Sequence, residues 1–539
     1  MRAFLWTGLL IGMALGTGVG FAQGAIERIP DDLFPLTTEP KTLNVFLMAR
    51  SNVEDYNDNE FTKWYEEKTG VKIEIQVGPS DPTEFQQALN LRLASGDYPD
   101  IILGAAVSTS QLALYGQQGI FLPLNDLIEN VGRETKRVFE LYPTAVQVAT
   151  APDGNIYSLP EVNDCFHCSY AEKMWIYQPW LDKLGLEIPT TTEEFKAVLE
   201  AFKTQDPNGN GKADEIPFIS SPKGWNGQFD YYFAQSFGTP GAYETRLFLK
   251  DGAVDATYNK PEFRDLLRYQ HELFEAGLIS DESFTIAQDG LDRLLNNPGD
   301  MTVGAVTQGW MSAFADTIGE EGSRFAEYVT VPPLEGPQGV REQSFAAYQI
   351  AAGDCVITVA AEDPELAFRW CDAMYNEEVY LHAYFGVEDT DWRWATTDEV
   401  GINGKPAWYV PVVKFGTTQS ENWDQTTLGF RSSDFRLGEK RVSDTDLEVW
   451  LYEQSKKLEP YAQPVESVLP PLYFSAEQAQ ELADLSATLQ RFADESVANF
   501  TLGNSDIDDD AQWEGYLQQL EQMGLPRMLE IYNEAYQPQ

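Results

Sequence analysis

Histidine is nearly missing from this sequence: three residues in 539, at His167, His271 and His382. That scarcity leaves little support for a His-based nucleophilic triad or a His-rich zinc site. Basic residues are scarce too, with 37 Lys+Arg against 85 Asp+Glu and a formal net charge of −48. A nucleic-acid binder must neutralise phosphates with Lys and Arg, so nucleic acid is excluded as a partner. An anionic membrane surface is disfavoured on the same ground. No phosphate-cradling glycine loop occurs, and neither does an internal repeat or a low-complexity segment. Only one long apolar run is found, and it is N-terminal.

That run sets the compartment. Arg2 supplies a short positive start, Phe4 to Val19 carries no charge, and the small residues Gly20 and Ala22 precede Gln23. The glycine-rich end and the small-x-small pattern favour a removed signal peptide over residues 1–22, rather than a membrane anchor. No cysteine lies near the cleavage point, so no lipid anchor is expected, and the mature product is exported, soluble and periplasmic. With 43% hydrophobic and 23% charged residues the composition is that of an ordinary folded chain, long enough for two or three domains.

Four cysteines remain. Cys165 and Cys168 have the C-x-x-C spacing, which suits a redox pair, half of a zinc site or a local disulfide. Their polar loop context, Glu161-Val-Asn-Asp-Cys, favours a structural disulfide. Cys355 lies in a strand-like run and Cys371 in the helix after it, and the two either pair or stay as buried thiols.

Strand and helix alternate along the chain. Leu43 to Met48, Val71 to Val77 and Asp100 to Leu103 read as strands. The helices between them end at Gly70 and Gly96. Such an order implies an α/β doubly wound sheet with ligands beyond its carboxyl ends. Thr191 or Thr192 caps a helix running to Thr204, and Ala476 to Glu534 is mostly helical.

Several segments resemble the extracellular solute-binding proteins of ABC importers, family 1. They are Leu93-Ala-Ser-Gly-Asp-Tyr-Pro-Asp-Ile-Ile102, Gln117 to Leu124, Trp180 to Phe195, Asp363 to Trp370 and Leu469 to Ser475. The later ones are similar to a long subfamily that binds alginate and aldouronate oligosaccharides. The resemblance implies a two-lobed periplasmic-binding-protein fold, each lobe a doubly wound sheet, with a helical C-terminal extension. The first lobe is expected over 40–160 plus 345–385 and the second over 161–344 plus 386–539. Crossings are expected near Leu159 to Asn163, near Phe345 and near Gly386. The implied function is the substrate-binding component of an ABC transporter, a monomer that captures an oligosaccharide and delivers it to permease subunits. The alternative is a secreted glycoside hydrolase, which needs two carboxylates about 5–9.5 Å apart.

The best-defined chemistry is a metal loop. Asp206, Asn208, Asn210, Asp214 and Glu215 stand at positions 1, 3, 5, 9 and 10 of an EF-hand-like register. Gly211 falls at the sharp turn, and Lys212 offers its carbonyl. Position 12 is Pro217, so Glu215 must supply the closing carboxylate. A metal-free Asx turn is the plainer alternative. Calcium with a structural role is expected, as in the alginate-binding members that this loop resembles.

Sugar-binding candidates rest on aromatics, since sugar rings stack their C–H faces on Trp and Tyr. Trp310 ends a strand, and its counterpart in maltose-type relatives stacks on sugar. Trp225 stands between glycines and polar residues. Trp392 and Trp394 flank Arg393, a residue suited to an acidic sugar. Glu161, Asn163 and Asp164 lie at the first crossing, and Arg50 reads as an ordinary surface residue.

Overall fold

The structure, a computed structural model, describes residues 29–536 apart from 31, 105–106, 240, 242–244, 297–298, 311–323, 413–417 and 444–445. The signal peptide expected over 1–22 lies outside the described residues. In chain order the first four strands are β1 (Lys41–Met48), β2 (Val71–Gly78), β3 (Ile101–Leu103) and β4 (Leu159–Asn163). Next come β5 (Met174–Tyr177), β6 (Ile216–Ser220), β7 (Leu247–Lys250), β8 (Ala253–Ala256), β9 (Val303–Thr307) and β10 (Tyr328–Val331). The last are β11 (Ile350–Ile357), β12 (Trp392–Trp394), β13 (Tyr409–Pro411) and β14 (Phe430–Arg431).

Local signals start the first sheet. Asn59 caps the helix Glu60–Thr69 by accepting from the Phe61 N–H, and Gly70 ends it at φ 74°, where a β-carbon is disfavoured. β2 alternates buried and exposed residues from Val71 to Gln76, the period of a strand covered on one face. β2, β1 and β3 pair in parallel through helical crossovers. β11 then inserts antiparallel between β3 and β4, and β14 joins β4 in parallel. The second sheet runs β10-β5-β9-β6, with β5 antiparallel to both neighbours and β6 parallel to β9. Both sheets are therefore mixed, for one topological reason. β5 and β11 enter their sheets from the other lobe, so each runs against the strands that point back toward the junction.

Among the described residues the sheets are joined at 164–173 and 332–349, and a third passage follows β14 to the helix Leu447–Ser455, whose Trp450 donates through Nε1 to the Tyr328 carbonyl of β10 at 3.1 Å. The third corrects the expectation of a crossing near Gly386 and of a second lobe holding all of 386–539. Trp423, Leu428 and Phe430 belong to the first core. Trp392, Tyr409 and Phe435 pack with Tyr380 and Leu381 of the helix Glu377–Phe385. β14 is two residues long, too short for periodicity to mark it.

Cys355 and Cys371 are paired, tying β11 to the helix Pro364–Ala373. The C-terminal helices Ala476–Thr501, Asp510–Gln522 and Leu525–Ala535 cover the second core with Leu482, Leu489, Trp513 and Ile531. Buried Arg246 fastens them by meeting Asp230 and Asp494, each at 2.8 Å. Among the described residues no helix is long and apolar enough to cross a membrane.

Trp423 is fully buried, meets Phe61 edge-on at 5.0 Å, and donates through Nε1 to Thr62 Oγ1 at 2.8 Å. Trp423→Ala is expected to cost about 3–5 kcal/mol of stability, read from urea unfolding. An unchanged midpoint would remove this segment from the first core.

Candidate functional site

Ligands on open α/β sheets bind beyond the carboxyl ends of the strands. Here those ends are Met48 and Leu103 in the first sheet, and Ser220 and Thr307 in the second. Each carries polar side chains that are shielded from bulk water.

The first wall gathers Arg50 after β1, Glu161 on β4, Asp354 on β11 and Arg431 on β14. Asn163 pairs in register with Arg431, and Arg436 Nη1 donates to Asn163 Oδ1 at 2.8 Å. Enclosure holds the Glu161 carboxyl above the ordinary carboxylate range, against the pull of Arg431, Arg50 and Arg436. Asp354 is raised further by burial and by the charge of Glu161, with Arg50 opposing. The Arg431 guanidinium lies 4.6 Å from the Tyr384 ring, a cation–π contact.

The second wall is built from Glu172 and Lys173 ahead of β5, Trp225 and Asn226 after β6, and Gln308 and Gly309 after β9. Burial, then the charge of Asp230, pushes Glu172 up to about 8. Burial pushes Lys173 down to about 7, with Glu172 opposing. Lys173 Nζ donates to the His167 and Gly309 carbonyls at 2.7 and 3.1 Å. The Asn226 amide, oriented to satisfy both neighbours, donates to Glu172 Oε1 at 2.9 Å and accepts from Trp225 Nε1 at 3.0 Å. Trp225 is 40% exposed, and its indole covers Gly309, where any β-carbon would collide with the ring.

Between the walls, Cys165 and Cys168 form the local disulfide favoured by their setting. Gln349 Nε2 donates to the Cys165 carbonyl at 3.1 Å, and its Oε1 accepts from the Cys165 N–H at 3.2 Å.

The loop 206–215 lies at the opposite end of β6 from Trp225. Asp206 accepts from the Gly209 and Gly211 N–H groups at 2.9 and 3.1 Å. Asn208 Oδ1 and Asn210 Oδ1 accept from the amides two residues on. Asn208 and Asn210 both donate to Asp214, which holds that carboxyl below its usual value. Glu215 Oε1 is buried without a partner. A hard-oxygen donor set with one orphaned carboxylate oxygen fits a divalent cation such as calcium.

The candidate residues from the sequence divide. Glu161 and Asn163 stand together on the first wall with Arg431 and Arg436. Trp225 is exposed on the second wall, and Trp310 beside it is half-buried against the second core. Trp392 is not a ligand contact: it is fully buried and donates through Nε1 to the Gly386 carbonyl at 2.9 Å. Arg393 is already engaged, bonding both oxygens of Glu399 at 2.8 and 2.7 Å, while Lys440 meets the same carboxylate at 2.6 Å. Sequence reasoning missed Asp354, Glu172, Gln308 and Arg431. Asp354 had a legible signal, a lone acid inside an apolar strand. Arg431 had none, because its strand is so short.

The fold and these two walls define a solute-binding protein, and the chain belongs to the bacterial extracellular solute-binding protein family, whose model matches residues 49–380. It works by binding, so the hydrolase alternative falls. It is 30% identical over 546 residues to the fructooligosaccharide ABC transporter substrate-binding protein FusA of Streptococcus pneumoniae, covering 99% of this chain and 97% of FusA. FusA in complex with kestose matches with a TM-score of 0.74 at 26% identity, over 92% of this chain and 99% of that one. A FusA EF-hand mutant in complex with fructo-nystose matches with a TM-score of 0.72 at 25% identity, over the same shares. An HMO-binding solute-binding protein of Bifidobacterium longum infantis shares the fold, with a TM-score of 0.79 at 22% identity over 92% and 98% of the two chains.

The Glu172 carboxyl gives a pH test. Its folded value of about 8 lies above the unfolded value of about 4.3. The stability it contributes is therefore full below about pH 4.3 and is lost as pH rises through 8. Glu172→Gln is expected to melt near the wild type at pH 5 and above it at pH 8. Parallel melting curves across that range would contradict the burial of this acid.

Proposed function

We propose that this protein captures an extracellular oligosaccharide between its two lobes and delivers it to the permease subunits of an ABC transporter. Fructooligosaccharides, named for FusA, are the first candidates, and the periplasm is the proposed compartment. One observation carries the reading: Trp225, a large indole left exposed, stands over buried polar groups at the carboxyl ends of β6 and β9. A sugar ring presents an apolar face to stack on such an indole and a rim of hydroxyls for the polar groups beneath. The first wall supplies Glu161, Asn163 and Arg431 for further hydroxyls. Trp310 lines the same face of the second lobe.

Isothermal titration with kestose is expected to show saturable one-to-one binding without product release. Trp225→Ala is expected to weaken it at least about tenfold with little change in Tm, since stacking of this kind contributes about 0.5–1.5 kcal/mol beyond area burial. Trp392→Ala is expected to do the reverse, lowering Tm first. Equal affinities for wild type and Trp225→Ala would take the indole out of the site.

The loop 206–215 is proposed to hold calcium structurally through Asp206, Asn208, Asn210, Asp214, Glu215 and the Lys212 carbonyl. Bound calcium would neutralise the clustered carboxylates and fix the turn that feeds β6. EDTA is expected to lower Tm and added calcium to restore it, by about 2.7 kcal/mol at a hundredfold excess over Kd. Asp206→Asn is expected to abolish that response and spare kestose binding. A Tm indifferent to EDTA would leave the loop as a metal-free turn.

A further inference from the structure

The second wall contains buried polar atoms that no described residue satisfies. Gln308 is fully buried, and neither its amide oxygen nor its amide nitrogen has a partner. Glu172 is 5% exposed, and its Oε2 is also unpartnered. Gln288 donates to Asp292 at 2.9 Å, but its Oε1 receives no donor. These groups converge on one place. A β-carbon added to Gly224 would collide with both Gln308 amide atoms and with Gln288 Oε1. Glu172 reaches the same loop through Asn226, whose amide also holds the Trp225 indole. Orphaned polar groups cost stability wherever they are buried. Here they pack against the Gly224 backbone, where no β-carbon fits, beside the exposed indole.

We infer that Gln308, Gln288 and Glu172 form a hydroxyl-recognition subsite beside Trp225, selective for an uncharged sugar ring with adjacent free hydroxyls. The inference rests on the reading of this face as the wall of an oligosaccharide site. A hydroxyl both donates and accepts, so two neighbouring hydroxyls supply a primary amide with the acceptor and the donor it lacks. Glu172 Oε2 meets a further hydroxyl, donating to it while the acid holds its proton, and Gln288 Oε1 accepts from another. A uronate would instead set its carboxylate against the Gln288 amide oxygen, and the nearby Lys173 already donates to two carbonyls.

The test is titration of kestose and of trigalacturonate into the full chain as wild type, Gln308→Met and Gln288→Met, with Tm measured for each. The wild type is expected to prefer kestose. Each variant is expected to bind kestose about 10- to 100-fold more weakly. The Tm of Gln308→Met should hold or rise, because a side chain of similar shape no longer buries an orphan amide, whereas Gln288→Met also gives up its bond to Asp292 and should change Tm only slightly. Gln288 is only half-buried, so its variant tests the subsite even if Gln308→Met does not fold. Lowered Tm with unchanged kestose affinity would make the amides structural and overturn the subsite. Preference for trigalacturonate would overturn the selectivity while leaving the binding-protein reading intact. A wild type that binds no oligosaccharide would overturn that reading, and the subsite with it.

Discussion

Gln349 makes with its side chain the two hydrogen bonds that a paired strand would make with its backbone. Its amide donates to the Cys165 carbonyl and accepts from the Cys165 N–H, while its own carbonyl accepts from the Asn163 N–H at 3.0 Å. The first and second connections between the lobes are thereby held side by side. Arg436 brings in the third, bonding Asn163 and facing Glu448 at 3.7 Å. The Cys165–Cys168 disulfide shortens the slack in the first. A ligand gripped by two lobes needs both walls at a set distance, and this junction is where that distance is determined.

Charge is divided between surface and interior by the same arrangement. The acidic exterior of a chain at −48 keeps it soluble and says nothing about the ligand. Inside, carboxylates and guanidiniums act on one another through space, Arg431 and Arg50 on Glu161 and Arg50 on Asp354. Burial raises the acids of the first wall, and the nearby arginines pull them back.

Where the sequence was legible, the structural cause was local. The cap Thr191 and the stop at Gly70 act within one helical turn, so those helix ends could be placed from neighbours in the chain. The period-two pattern of β2 reports a single covered face. The same logic failed for Trp392 and Arg393. Their aromatic-cationic pattern resembles a ligand contact, but the helix Glu377–Phe385 buries the indole and Glu399 takes up the guanidinium. Neither partner can be chosen from spacing alone.

The sequence by itself determined the family, the α/β alternation and the oxygen-rich loop at 206–215. Each is written in a contiguous run whose chemistry needs no distant partner. Tertiary structure alone decided which residues share a wall. Arg50, Glu161, Asp354 and Arg431 lie on or just after four different strands separated by long stretches of chain, and Glu172, Trp225, Gln288 and Gln308 are as widely scattered. That Trp423, Leu428 and Phe430 join the first core was also settled there, since burying them against the first sheet outweighs any local signal for a crossing at Gly386. Contacts of that kind depend on which apolar surfaces meet, and a linear pattern does not record them.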